Sequence, residues 1–227
     1  MIGNDVVDLG DADSRSAARH PRVDARIFGD GERWLLGRAS DADLMRSMLW
    51  AAKESAFKLL KRSMPGLVFA PSRFVVELRG DRAAIVDTAG IRVPVDFELA
   101  GSFVHAIARE PQIERARICS GVARLDSMRA DPSASVRRLT VATIARELGE
   151  DPSMLKVGRD GRLPLLLRDG ARVGGTLSLS HHGRFVAFAW SRRESRLLLR
   201  RVMDVGGAER RDSSAARQPR DITIAAT

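Results

Sequence analysis

The sequence predicts an α+β fold built from two halves of similar size, and three observations predict it. Short runs in which apolar and polar residues alternate recur along the chain as strands. Two longer segments, around 42–62 and 136–148, repeat apolar residues every three or four positions as helices. The order strand, helix, strands, helix, strands gives each half one such helix, with the join between Pro111 and Asp131.

Taken in order, Ile2 to Leu9 is a strand rich in Val and Ile, and Gly10 to Asp24 reads as loop or short helix. From Ala42 to Arg62, Met45, Met48, Leu49, Ala52, Ala56 and Leu59 form one apolar face. Asp41 or Ser40 is the expected N-cap, and Pro65-Gly66 closes the helix. Phe74, Val76 and Leu78 alternate with polar residues, and Ala83 to Val86, Val93 to Glu98 and Phe103 to Ala108 continue as strands. Gly80-Asp81 and Ala89-Gly90 supply turns. A further strand is expected around Ala116 to Val122, then a helix from Val136 to Leu148 ended by Gly149. Gly161 to Leu167 and Thr176 to Trp190 return to strand patterns, with Ser180-His181-His182-Gly183 between two apolar runs. Residues 192–227 are Arg-rich with no sustained apolar period after Val205, and read as a short helix followed by a disordered basic tail. An anion-binding or membrane-surface role for that tail is the competing reading.

Composition narrows the class. The chain has 227 residues, 44% of them hydrophobic, which is enough for a sizeable core. Aromatics are 5% with no Tyr, so the core is aliphatic. A net charge of +9 favours anionic partners without choosing among them. One cysteine, Cys119, excludes a disulfide framework or a thiolate zinc site within the chain and is expected in the core. The opening Met1-Ile2-Gly3-Asn4-Asp5 lacks the basic and apolar regions of a secretion signal, and no stretch approaches the roughly 20 apolar residues of a membrane span. A cytoplasmic protein is expected.

Two segments carry candidate chemistry. In the first strand, alternation places Asp5 and Val7 on one face and Asn4, Val6 and Asp8 on the other. In the first long helix, Glu54 and Lys58 lie one turn apart on one face. Each has a plain reading: Asp5 as a strand-end cap, and Glu54–Lys58 as an exposed ion pair worth about 0.3–0.5 kcal/mol. Together they can do more. A strand carboxylate and a helix carboxylate can hold a hard cation, and a Lys one turn away can face the same substrate phosphates.

The segments Gly3-Asn4-Asp5 and Trp50-Ala51-Ala52-Lys53-Glu54-Ser55-Ala56-Phe57-Lys58 resemble the signature of the 4'-phosphopantetheinyl transferase superfamily. Gly66-Leu67 followed by Phe74 is similar to what trails that helix in the family. Ser178 to Ala187 resembles the family's Ser-His-Ser-Gly segment and the strand after it. Gly161-Arg162-Leu163-Pro164 resembles its Gly-Lys-Pro turn, with one residue inserted and Arg for Lys. In the family's long, two-half type the Ser-His segment comes first, whereas here it comes last, as in the short trimeric type of about half this length. The resemblance therefore implies a pseudo-dimer in swapped order, each half an antiparallel sheet packed with helices: 1–110 carrying the Asp5 and Lys-Glu motifs, 111–191 the Ser-His-His-Gly motif. A monomer would then suffice, with the site in the cleft between halves.

The resemblance also implies roles. Asp5 and Glu54 would bind Mg2+, and Glu54 and Lys58 would serve catalysis. Lys58 would contact the pyrophosphate of coenzyme A, and Arg162, Ser180 and His181 would contact coenzyme A from the other half. Val7 stands where the long type has a second acid, so two protein carboxylates would serve the metal. Asp8 points away and is expected to be structural, as is Trp50. His182 is the weaker candidate of the turn, and His20 and His105 have no motif. The implied reaction transfers 4'-phosphopantetheine from coenzyme A to a serine of an acidic acyl or peptidyl carrier protein, releasing 3',5'-ADP. A Mg2+-dependent hydrolase of a nucleotide diphosphate would use the same residues. A basic nucleic-acid binder would explain the charge but leaves these residues unused, and scarce aromatics disfavour base stacking.

Overall fold

The first strand, β1 (Ile2–Asp8), is buried on both faces over its whole length. The computed structural model describes residues 1–14, 22–127 and 129–192, and all of its elements fall in one compact unit. His20 and the Arg-rich tail expected beyond 192 lie outside the described residues.

Two short helices follow β1, α1 (Arg22–Ile27) and α2 (Asp30–Arg38), and then the long α3 (Ala42–Ser63). Asp41 caps α3 by accepting the Leu44 N–H, and Pro65-Gly66 lie just past its end. Four strands complete the first sheet: β2 (Val75–Leu78), β3 (Ala83–Thr88), β4 (Ile91–Ala100) and β5 (Phe103–Arg109). The sheet is antiparallel in the order β1-β5-β4-β3-β2, so β1 is an edge strand. One sheet face packs on α3 through Val7, Val86, Val95, Val104 and Ala106 against Leu49, Ala52, Ala56 and Leu59.

The second half opens with β6 (Ile118–Arg124) and α4 (Pro132–Leu148). α4 starts earlier than its apolar period because Asp131 caps it by accepting the Ser133 N–H and Pro132 sits in the first turn. It ends at Gly149, which takes φ +67°. A small sheet follows, β7 (Leu155–Asp160), β8 (Leu163–Arg168) and β9 (Ala171–Arg172), then β10 (Gly175–His182) and β11 (Phe185–Arg192). β10, β11 and β6 form an antiparallel sheet in that order. Its outer face packs on α4 through Leu177, Val186, Phe188 and Trp190 against Val136, Ile144 and Ala145. Cys119 packs at this core as expected, and burial pushes its thiol up to about 11.

The two sheets stack face to face. Ile2 and Ile107 meet Ile118 and Ala189, and Val6 meets Phe185 and Ala187. The layers are therefore α3, first sheet, second sheet, α4. The architecture is α+β, as the sequence predicted. One detail differs: Ser180-His181-His182 is the end of β10 and not a turn, and only Gly183-Arg184 connects it to β11.

Candidate functional site

Gly3 positions the site. A Cβ on Gly3 would sit 2.2 Å from the Ser55 carbonyl oxygen and 2.6 Å from the Leu59 nitrogen. Only glycine lets α3 lie this close to β1. The helix face there is small, with Ala52, Ser55 and Ala56 all buried. Backbone contact at Gly3 brings Lys58 and Glu54 beside Asp5, two residues along the same strand face.

The Lys58 ammonium is 2.7 Å from Asp5 Oδ1 and 3.7 Å from Glu54 Oε1. One cation thus stands between two carboxylates, one from the strand and one from the helix. Burial raises the pKa of Glu54 above the usual carboxylate range. Lys58 opposes that rise, and the Asp5 charge adds to it. The alternation read from sequence holds: Gly3, Asp5 and Val7 face α3, while Asn4, Val6 and Asp8 face the second sheet.

Lys53, next to Glu54, is fully buried. It donates to Glu32 Oε2 at 2.7 Å and to the carbonyls of Pro71 and Phe74 at 3.1 and 2.5 Å. Glu32 in turn accepts the N–H groups of Val76 and Gly29. Every charge of this pair is satisfied, which fixes the rotation of α3 and hence the direction of Glu54. Trp50 is a packing residue, edge-on to Phe69 in a cluster that includes Phe57 and Phe74.

The second half meets this site across β1. Asn4 is fully buried: its N–H donates to Ser178 Oγ at 3.0 Å and its Nδ2 to Ser180 Oγ at 3.2 Å. Nδ2 also lies 3.1 Å from Nε2 of His105, whose Nδ1 is 3.5 Å from Glu98. His105, without a motif in the sequence, is thus a buried partner of Asn4. Ser180 is 6% exposed, tied to the back of β1, while His181 is exposed on the opposite face of β10. Arg162 is exposed in the β7–β8 turn, where Gly161 takes φ +56°. Asp5, Glu54 and Lys58 are brought together; Ser180 and His181 stand on β10, which packs against β1; Arg162 stands on the adjoining small sheet.

Three residues passed over in the sequence take part. Arg62, one turn beyond Lys58, donates from Nη2 to the Leu177 carbonyl and so ties α3 to β10. Burial holds its pKa below the usual guanidinium value. Asn4 and Arg184 make the other cross-half contacts. Their partners lie more than a hundred positions away, beyond any local signal; only the polar residue inside the apolar run at Asn4 hints at one.

Among the described residues no helix is long and apolar enough to cross a membrane, and no group of three or more His, Cys, Asp or Glu is placed to hold a metal ion. No curated protein matches the chain. The family model described as 4'-phosphopantetheinyl transferase superfamily matches residues 1–108, which is the first sheet with α1, α2 and α3. That family implies a transferase of phosphopantetheine. Residues 1–108 are thus similar to the 4'-phosphopantetheinyl transferase superfamily.

Proposed function

We propose that this protein transfers 4'-phosphopantetheine from coenzyme A to a serine hydroxyl of an acyl or peptidyl carrier protein, with Mg2+, releasing 3',5'-ADP. The observation that carries the reading is the convergence of Asp5 and Glu54 on one cation, the Lys58 ammonium. The donor set fits Mg2+: two carboxylates close together, one of them with its proton affinity raised by burial and its neighbour's charge, call for positive charge. Two protein ligands leave room for the waters and phosphate oxygens that Mg2+ retains. Asp5 and Glu54 would hold the ion, which supplies charge stabilisation for the pyrophosphate oxygens.

The chain's own residues supply the rest. Lys58, held between two carboxylates and partly open to solvent, would contact the pyrophosphate. In the transfer the serine oxygen bonds to the β-phosphorus, and the bond to the 3',5'-ADP oxygen breaks. The serine proton needs an acceptor, and Glu54 is the half-buried carboxylate of raised pKa beside the site. His181 and Arg162, both exposed, and Ser180, on the same strand as His181, are the contacts of the second half to coenzyme A. We read the fold as a pseudo-dimer in swapped order that works as a monomer in the cytoplasm. What supports this is that each half is an antiparallel sheet backed by one long helix, and the sheets stack on each other. The net charge of +9 suits a polyanionic donor and an acidic carrier, and encounter would slow with added salt.

The test is incubation with coenzyme A, Mg2+ and several apo carrier proteins, followed by mass analysis of carrier and nucleotide. A phosphopantetheine adduct on serine with 3',5'-ADP released supports the reading. Consumption of coenzyme A at the same rate without carrier would replace it with a hydrolase.

A further inference from the structure

The carboxylate of Asp8 ends β1, three residues after Asp5, and is 1% exposed. Its Oδ1 accepts Arg184 Nη2 at 2.6 Å and the Gly10 N–H at 2.8 Å. Its Oδ2 accepts Arg184 Nε at 2.7 Å and the Arg184 N–H at 2.9 Å. This is a bidentate fork with every acceptor position used. The Asp8 N–H also donates to His182 Nδ1 at 3.1 Å. The fork's side chains pack closely on two glycines. A Cβ on Gly183, which has φ +52°, would lie 2.6 Å from Asp8 Oδ2, and one on Gly10 would lie 2.1 Å from Arg184 Nη2. Arg184 is itself tied to the second sheet, since its carbonyl accepts the Leu125 N–H at 2.7 Å.

The apolar contact between the sheets, from Ile2 and Val6 to Phe185, Ala187 and Ala189, already holds the halves together. The fork lies beyond that contact. It joins the strand that carries Asp5 to the turn that follows Ser180 and His181. Asn4, on the other side of Asp5, makes the second tie through Ser180. Asp5 is therefore bracketed by two fixed links to β10.

We propose that Asp8 is a positioning residue for coenzyme A: with Arg184 and Gly183 it latches the end of β10 to β1 and sets where His181 and Ser180 stand relative to Asp5 and Glu54. This rests on the coenzyme A reading above. Loss of the latch lets the β10–β11 turn shift while the apolar interface keeps the fold. The consequence is weaker binding of coenzyme A, with the transfer step itself little changed once the site is saturated.

Asp8→Asn and Arg184→Lys test this, the second being the milder change should Asp8→Asn fail to fold. Three quantities are compared with wild type: hydrogen exchange over 178–184, coenzyme A affinity by titration calorimetry without carrier, and kcat at saturating coenzyme A. Expected are faster exchange over 178–184, affinity weaker by roughly ten- to a hundredfold, and kcat within about threefold of wild type. Unchanged exchange overturns the latch. Faster exchange with coenzyme A affinity within about twofold makes Asp8 merely structural and overturns the proposal. If the wild type binds no coenzyme A, the functional reading fails separately, and the positioning role for that ligand falls with it.

Discussion

Two lysines five residues apart on α3 each meet carboxylate, and they differ in what surrounds them. Lys53 is 0% exposed and has one carboxylate and two carbonyls, all at hydrogen-bond distance. Lys58 is 28% exposed and stands between two carboxylates, one close and one at 3.7 Å. Burial lowers the pKa of Lys53, and the Glu32 pair opposes that fall. The first pair is closed, buried with all three ammonium protons used. The second is open to solvent on one side and carries excess negative charge. An identical residue pairing can thus serve as a pin or as a site, and exposure decides which.

Breaking the pin has the largest expected effect on stability. Lys53→Met leaves Glu32 charged, buried and without its cation, which costs about 3–5 kcal/mol. Urea unfolding checks this, and Lys53→Met with Glu32→Gln should recover part of the loss. Full recovery is not expected, because Glu32 also holds the Val76 and Gly29 N–H groups. At the open site the effects reverse. Lys58→Met should cost less stability than Lys53→Met, because Lys58 is partly open to solvent, and lower kcat/KM for transfer by about a hundredfold. A large stability loss there would erase the distinction.

Asp8 lies between the two cases, since its partner Arg184 is partly exposed. Burial alone would raise its pKa, but the Arg184 hydrogen bonds and the Gly10 N–H outweigh burial and hold it at about 2, below the ordinary 3.8. A depressed carboxylate adds stability that is present above the unfolded value and lost as pH falls through the folded one. The loss is thus expected between about pH 4 and pH 2, amounting to about 2 kcal/mol. Acid unfolding of wild type and Asp8→Asn checks it, and the variant should lack this part of the pH dependence. The smallest effect belongs to Glu77, whose carboxylate meets Arg79 and Arg92 on the exposed surface. Glu77→Gln should change the unfolding free energy from urea titration by under about 0.5 kcal/mol.

What was legible in the sequence follows physical lines. α3, β2, β3 and β4 were readable because each buries one face, so the apolar period is present in the residues, while β1 and β5, buried on both faces, read as apolar runs. The faces of β1 followed from alternation alone. α1 and α2 left no such trace: α1 buries no residue, and α2 buries only Glu32 and Leu36. A buried Glu reads as surface until Lys53 is known to face it. β7 was missed because only Leu155 and Val157 of its six residues are buried. Within the site, Asp5, Glu54 and Lys58 were singled out through the resemblance of their motifs to the family signature. Asn4–Ser180 and Asp8–Arg184, each spanning 176 positions, were not, because no local pattern encodes which distant strand will face β1.

The central claim is that Asp5, Glu54 and Lys58 form a transfer site and not merely a surface ion pair. The most direct test is the rate of phosphopantetheine attachment to an apo carrier protein by wild type and Glu54→Gln, at matched Mg2+ and coenzyme A. The account predicts attachment by wild type and a loss of about a thousandfold in the variant, with its thermal midpoint no lower than wild type because a half-buried charge of raised pKa has been removed. Attachment by Glu54→Gln at the wild-type rate would contradict it.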